Sequence, residues 1–281
     1  MRVVSLLPAA TEIVAALGAG SALVGVSHEC DYPPDVVRGR PRVTSPTVDS
    51  ELSAAAIDRQ VASAQRAGVP TIHLDLELLR RLAPDILIGQ AVCDVCAVGP
   101  DELARAAAAL APRPRVVTLH AHDLNGAFGD MLRVGDALEL SDEAEELVAG
   151  LRYRLRRVEA RPAARPRVLV LEWLDPPYVA GHWVPELVAV AGGVGVGGRA
   201  GERSTARPWS ELRTLAPDVV VIALCGFDIP RARREFALVT DPDARALFGT
   251  RVEFLDGNAY TSRPGPRLVD AAALFAGLIG R

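Results

Sequence analysis

The alternation of two kinds of segment constrains the fold of this chain more than any other feature of its sequence. Short runs rich in β-branched residues, such as RVVSL (2–6) and DILIG (85–89), alternate with longer runs rich in Ala, Leu and charged residues. This alternation is typical of βα units, in which helices connect parallel strands. We therefore expect an α/β protein with parallel sheets.

Eight runs have the composition of strands, five in the first half of the chain and three in the second. They are residues 2–6, 23–27, 71–74, 85–89, 115–119, 167–173, 218–224 and 251–255. The amphipathic runs between them predict helices. These helices lie near 9–17, 52–67, 76–83, 101–111, 184–191, 208–216, 230–238 and 265–279.

One long charged segment, residues 125–161, separates the two halves. Its apolar residues recur at positions 147, 151, 155 and 158, a helical period. Acidic residues are concentrated at 139–146 and arginines at 152–161. That charge order complements the helix dipole. We predict two Rossmann-like α/β lobes with parallel sheets, at 1–124 and 162–281, bridged by a single long backbone helix at 125–161. A single doubly wound domain with an ordinary long helix is the alternative.

The composition excludes several classes of protein. The chain has 281 residues, of which 49% are hydrophobic and 23% charged, as in globular proteins. A net charge of −4 argues against nucleic acid as the main partner. The sequence has no run of roughly 18 apolar residues that would predict a membrane span, and its start does not match a secretory signal. We expect a cytoplasmic monomer; a mature extracytoplasmic protein whose signal was removed is the alternative.

The residues with the most distinctive chemistry follow the predicted strands. In open parallel sheets, ligands bind outside the carboxyl ends of the strands. All four cysteines and four of the five histidines lie in the segments that begin there, so we expect a ligand-binding cleft between the lobes. These segments are HECDYP (28–33), QAVCDVC (90–96), HAHD (120–123), LDPPYVAGHW (174–183), CGFD (225–228) and DGNAYTSRPG (256–265).

Cys93 and Cys96 form a C-x-x-C pair directly after a predicted strand. Together with Cys30 and His28 they supply the donor types of a zinc or iron site. A redox pair is less consistent with the sequence, because residues 98–100 separate the cysteines from the next helix. Contact with a bound ligand and simple packing of buried thiols are further alternatives, and the sequence leaves them open.

Several motifs occur in a specific order along the chain. They are VVSLLPAATEIVAALGAGSALVGVSHECDYP (3–33), LRRLAPDILIG (79–89), LDPPYVAGHWVPELVAVAGG (174–193), RPWSELRTLAPDVVVIAL (207–224) and the segment from Asn258 onward. In this order they resemble the substrate-binding proteins for cobalamin and iron chelates, which have a class III helical-backbone fold, and most closely their signal-less relatives. The resemblance implies a non-catalytic protein that binds cobalamin or a related corrinoid or metal chelate.

The resemblance also implies which residues contact the ligand. Tyr178 and Trp209 match aromatic cobalamin contacts of the family, whereas Glu29 stands where the family has an aromatic residue. His28 and His182 are candidate axial ligands of the cobalt, since neutral imidazole is a common metal ligand. The full set of candidate contacts is Tyr178, Trp209, His28, Glu29, His182, Trp183 and Tyr260.

Two further expectations concern partners and an alternative function. Glu77 and Glu211 lie at or near the positions where importer relatives dock on a transporter, which makes the permease of an ABC transporter a candidate partner.

The residues 52–74 and the cysteines and histidines depart from the importer pattern. The alternative function is therefore a cytosolic metal-binding protein or metalloenzyme that uses Cys30, Cys93, Cys96 and His28.

Overall fold

The chain divides into two compact units, each with its own sheet and core. A computed structural model describes residues 1–91, 98–158 and 165–280. The N-terminal unit comprises residues 1–52, 59–121 and 125–150, and the C-terminal unit comprises 53–58, 122–124 and the chain from Leu151 onward. The predicted α/β class with two units is confirmed.

All eight predicted strands are present, and the described residues form four further short strands that were not predicted. The strands are β1 (Val3–Ser5), β2 (Leu23–Val26), β3 (Thr44–Pro46), β4 (Ile72–Leu74), β5 (Ile86–Gln90), β6 (Arg115–Leu119), β7 (Arg167–Leu174), β8 (Pro177–Val179), β9 (Val194–Gly195), β10 (Thr205–Ala206), β11 (Val219–Ile222) and β12 (Arg251–Phe254).

The helices follow the predicted amphipathic runs closely. They are α1 (Pro8–Ala16), α2 (Pro34–Val37), α3 (Ala54–Ala67), α4 (Leu76–Leu82), α5 (Pro100–Ala108), α6 (Leu124–Ala137), α7 (Ser141–Arg157), α8 (Val184–Val190), α9 (Trp209–Thr214), α10 (Ile229–Leu238), α11 (Pro242–Leu247), α12 (Gly257–Tyr260) and α13 (Leu268–Ile279). None of the helices in the described part of the chain is long and apolar enough to cross a membrane.

The main sheet of the N-terminal unit is parallel, with the strand order β2-β1-β5-β6. The central strands β1 and β5 are almost entirely buried, as expected for strands covered by helices on both faces. The run predicted as a strand at 71–74 is not part of this sheet. It forms β4, which pairs antiparallel with β3 and alternates buried and exposed residues, because only one of its faces is covered.

The sheet of the C-terminal unit is mixed rather than wholly parallel as predicted. Strands β9, β7, β11 and β12 run parallel, whereas β8 and β10 run antiparallel to their neighbours. Strand β8 follows β7 after only Asp175 and Pro176. A connection this short can form a hairpin but not a crossover, so β8 must return antiparallel beside β7.

The segment predicted to bridge the two halves forms two helices, α6 and α7. Glu139 between them has a φ of 61°, a left-handed conformation that ends a helix. The two helices approach closely where Gly135 faces Ala144. Helix α7 is the longest in the described chain, and the division between the two units falls inside it, after Gly150.

Candidate functional site

His28 follows β2 in the N-terminal unit and is held at one ring nitrogen. Its Nδ1 lies 2.7 Å from Thr44 Oγ1, and its backbone N–H donates to the same oxygen at 3.0 Å. Thr44 Oγ1 also lies 3.1 Å from Ser27 Oγ. If Thr44 donates its single proton to Ser27, Nδ1 must be the protonated nitrogen, and the lone pair of the imidazole is then on Nε2. Nε2 lies 4.0 Å from a carboxylate oxygen of Glu29.

The surroundings of His28 favour its neutral form. Burial lowers the pKa of His28, and the guanidinium of Arg42 lowers this pKa further. Arg42 is itself fixed, because it donates to the carbonyl oxygens of Ser27 at 2.9 Å and of Cys30 at 2.5 Å. Neutral imidazole is the form that binds a metal ion, so this environment suits His28 to act as a ligand.

The thiol of Cys30 belongs to a buried polar chain. Cys30 is 1% exposed, and its Sγ lies 3.1 Å from Thr11 Oγ1, which lies 2.9 Å from Ser5 Oγ. The two other predicted sulfur ligands, Cys93 and Cys96, lie outside the described residues. Within the described ranges, no group of three or more His, Cys, Asp and Glu side chains could hold a metal ion. The predicted metal set of Cys30, Cys93, Cys96 and His28 therefore stays a prediction.

The C-terminal unit carries a cluster of aromatic side chains where β7 and β11 end. Tyr178 of β8 pairs with Trp173 of β7, and the Trp173 ring lies 5.2 Å from the ring of Phe227 at an angle of 50°. Trp173 Nε1 is buried and has no hydrogen-bond partner among the described residues. Burial raises the pKa of Tyr178, and the carboxylates of Asp58 and Glu172 raise it further, so its phenol stays protonated.

His122 and His182 form a stacked pair in the same unit. Their ring centroids are 5.7 Å apart and their planes differ by 24°. The His182 ring also lies 5.5 Å from that of Trp183, whose indole N–H donates to the Thr261 carbonyl oxygen at 2.8 Å. Burial lowers the pKa of His182, followed by the nearby charges of His122 and Arg203, so this imidazole is also neutral at pH 7.

Glu186 holds the short segment that contains His122. Its Oε2 accepts a hydrogen bond of 2.7 Å from the backbone N–H of Leu124, the first residue of α6. Burial raises the pKa of Glu186, and the neighbouring carboxylate of Asp123 raises it further. The segment 122–124 is thus fixed in the C-terminal unit by a ring contact at one end and by a hydrogen bond at the other.

The remaining predicted residues occupy different surroundings. Trp209 is 8% exposed and packs edge-on against Phe248 at 5.4 Å in the C-terminal core, which leaves little of its surface for a ligand. Tyr260 lies in α12, with the guanidinium carbon of Arg267 5.7 Å from its ring centroid. The ligand roles of these two residues stay predictions.

The two predicted docking residues are both exposed and paired with arginine. Glu77 lies 3.3 Å from an Arg80 nitrogen, and Glu211 accepts a hydrogen bond of 2.9 Å from Arg207. Ion pairs of this kind on a helix surface contribute little to stability. Their role in docking on a transporter stays a prediction.

Three residues that shape these sites had no signal in the sequence. Thr44 and Arg42 reach His28 because residues 41–43 run beside β2, with hydrogen bonds from Val26 N–H to the Pro41 carbonyl and from Val43 N–H to the Val26 carbonyl. Glu186 meets Leu124 although 62 positions separate them. Such pairings depend on tertiary contacts that no local pattern encodes.

Each of the two α/β units thus places aromatic or imidazole side chains near the ends of its strands. The sequence profile of the family described as "Periplasmic binding protein" matches residues 3–246. The chain belongs to the periplasmic binding protein family. A search of curated proteins finds no match.

Solved structures of similar fold cover nearly the whole chain. A periplasmic heme-binding protein from Pseudomonas aeruginosa is 26% identical with a TM-score of 0.71, over 98% of this chain and 91% of that one. The periplasmic heme-binding protein RhuT from Roseiflexus sp. RS-1 is 23% identical with a TM-score of 0.71, over 100% and 98%. The periplasmic vitamin B12-binding protein BtuF of Vibrio cholerae is 19% identical with a TM-score of 0.68, over 99% and 95%.

Proposed function

We propose that this protein is a non-catalytic binding protein whose ligand is a planar metal chelate, either a corrinoid such as cobalamin or a closely related tetrapyrrole. Membership of the periplasmic binding protein family supports the binding role. Similar solved structures are named as heme-binding and vitamin B12-binding proteins, and these names support this class of ligand.

The observation that carries the proposal is the pair of neighbouring aromatic residues Trp173 and Tyr178, which face each other on β7 and β8. Tyr178 and Trp173 are both half-buried, so part of each ring is open to a ligand. Aromatic rings stack on a planar conjugated ring and bury its apolar faces, which is the main source of affinity for a large flat ligand. A small number of polar groups then fixes the orientation.

The half-buried imidazoles of His28 and His182 support a second contact, an axial bond to the metal of the chelate. The pKa of each is lowered, mainly by burial, so each is neutral at pH 7. In His28 the contact of Nδ1 with Thr44 leaves Nε2 for the metal. An outer hydrogen bond of this kind commonly orients a metal-binding histidine.

Titration with hydroxocobalamin and with hemin tests the proposal. We expect at least one of them to bind and to show a perturbed visible spectrum. The Tyr178→Ala variant should weaken binding about tenfold, because a stacked aromatic contact contributes on the order of 1 kcal/mol. Tyr153→Ala is the matched control, since Tyr153 is an exposed tyrosine of α7. Failure of both compounds to bind the native protein would overturn the proposal.

The axial contact is tested separately with His28→Asn and His182→Asn. The spectral change of the bound chelate should disappear in the variant that has lost the axial ligand, while retention of the chelate persists. An unchanged spectrum in both variants would exclude an axial bond from either histidine to the metal. It would not affect the test of stacking with Tyr178→Ala.

A further inference from the structure

The stacked pair of His122 and His182 has features that chelate binding does not require. His122 is exposed and His182 is half-buried, and both belong to the C-terminal unit. Two neighbouring imidazoles offer two nitrogen donors at one place, whereas an axial contact to a chelate needs one. Asp123, the next residue after His122, and Glu186 carry carboxylates whose charges influence each other.

The backbone of His182 has a left-handed conformation, which is uncommon for residues other than glycine. Its φ is +51°, in the left-handed region. Its N–H donates to the Glu202 carbonyl at 2.7 Å, and its carbonyl accepts from Gly201 at 3.0 Å. The preceding Gly181 lies so close to this loop that an added Cβ would stand 2.4 Å from the Glu202 oxygen. Strain of this kind persists only where the surroundings enforce it, and it is common at functional sites.

The side chain of His182 has an unsatisfied ring nitrogen. Its Nδ1 is buried and has no hydrogen-bond partner among the described residues. A buried polar atom without a partner costs free energy, so this ring is not placed there for stability. An ion bound at this nitrogen would give it the partner that it lacks.

The distance between the rings suits a shared ion. A metal-bound imidazole nitrogen lies about 2 Å from the ion and about 1 Å from its own ring centre, so two imidazoles on one ion have centroids up to roughly 6 Å apart. The observed separation is 5.7 Å.

We propose that His122 and His182 together bind a divalent transition-metal ion directly, without a chelating macrocycle. Imidazole donors suit Zn²⁺, Ni²⁺ and Cu²⁺, and the general order of affinities places Cu²⁺ first. Two protein donors leave the other coordination positions to water. This agrees with the finding that no set of three or more donor side chains in the described chain could hold a metal. The proposal goes beyond chelate binding and does not depend on it.

Titration with Cu²⁺ and Zn²⁺ tests the site, in a background where Cys93→Ser and Cys96→Ser remove competing thiols. We expect one ion per chain at this site, bound at least tenfold more weakly in His122→Asn and in His182→Asn. Asn tolerates a positive φ, so it keeps the backbone of residue 182 intact. The double variant should lose less affinity than the two single losses added together, since both residues serve one ion.

A matched control and a second readout make the outcome decisive. His73→Asn removes another exposed histidine and should leave the affinity unchanged. Bound Cu²⁺ should also quench tryptophan fluorescence, because the ring of Trp183 lies 5.5 Å from that of His182, and His122→Asn should reduce this quenching.

Equal affinities in the background protein and in both histidine variants would overturn the proposal. Tyr178→Ala separates the two functions, because it should weaken chelate binding and leave Cu²⁺ binding unchanged.

Discussion

His28 and His182 are both half-buried imidazoles, yet they are held in different ways. His28 is fixed through its side chain, by the contact of Nδ1 with Thr44. His182 is fixed through its backbone, while its own Nδ1 has no partner in the described chain. A histidine with a satisfied Nδ1 has one donor atom left and a defined orientation. This difference leads us to assign His28 to the chelate alone and His182 to a shared ion as well.

The lowered pKa of His28 predicts a pH-dependent stability. The folded-state pKa lies below the unfolded value of about 6.5, so folding favours the neutral ring. This contribution is present above pH 6.5 and is lost as the pH falls through the folded-state pKa. We therefore expect the difference in unfolding free energy between the native protein and His28→Asn to shrink from pH 8 to pH 5. Denaturant unfolding at each pH measures it, and a difference that stays constant with pH would contradict the prediction.

At the scale of single residues, the sequence pattern indicates candidate residues but not the side chains that contact them. His28 and Cys30 come after β2 in the chain, and Tyr178 and His182 come after β7. They were chosen as candidates because ligands bind at the carboxyl ends of parallel strands. The contact of Thr44 with His28 arises from a stretch of chain that runs beside β2 with almost no strand pattern of its own. The burial of Trp209 depends on Phe248, far along the chain, and no local pattern reveals it.

Helices and strands were more predictable than their arrangement. Periodicity identifies an element because it reports which face is buried, and this worked for the eight predicted strands and for most helices. It does not report strand direction, so the antiparallel β8 and β10 were missed. Periodicity also did not predict the break between α6 and α7. There a single residue, Glu139, adopts a left-handed conformation inside a segment of otherwise helical composition.

Gly135 lies where α6 and α7 approach each other too closely for a larger side chain. A Cβ at this position would stand 2.3 Å from the Ala144 Cβ and 2.9 Å from the Leu140 carbonyl oxygen. Gly135→Ala should therefore destabilise the protein by about 1–3 kcal/mol, the usual cost of overpacking. Gly129→Ala, in the same helix with no atom within 4 Å of the added Cβ, should be neutral or stabilise by up to about 1 kcal/mol. Thermal unfolding compares the two, and equal effects would show that the helices can separate without cost.

The two units of the whole molecule are not continuous in sequence. The C-terminal unit includes residues 53–58, which begin α3, as well as 122–124. Ala54 is buried in the C-terminal core, Ile57 packs against that core, and the Ala54 N–H donates to Glu235 at 2.9 Å. The predicted boundaries at 124 and 162 leave both short segments outside the C-terminal unit. The sequence does not reveal their place, because it depends on contacts between residues far apart in the chain.

A fragment of residues 151–281 should consequently be less stable than the same unit in the full chain. It lacks the apolar side chains of Ala54 and Ile57, and it leaves Glu235 without the N–H that it binds. Hydrogen exchange at the central strand β11 measures the difference, and we expect faster exchange in the fragment. Equal protection in both would show that residues 53–58 contribute nothing to this core.

The early position of Ala54 and Ile57 has a consequence for how the protein is made. Roughly 100 or more further residues must be synthesised before the strands and helices of the C-terminal core, which bury these two side chains, leave the ribosome. At about 5–20 residues per second, the two side chains wait several seconds or longer for those partners. During translation the apolar side chains at the start of α3 therefore stay exposed until the core that buries them has been synthesised.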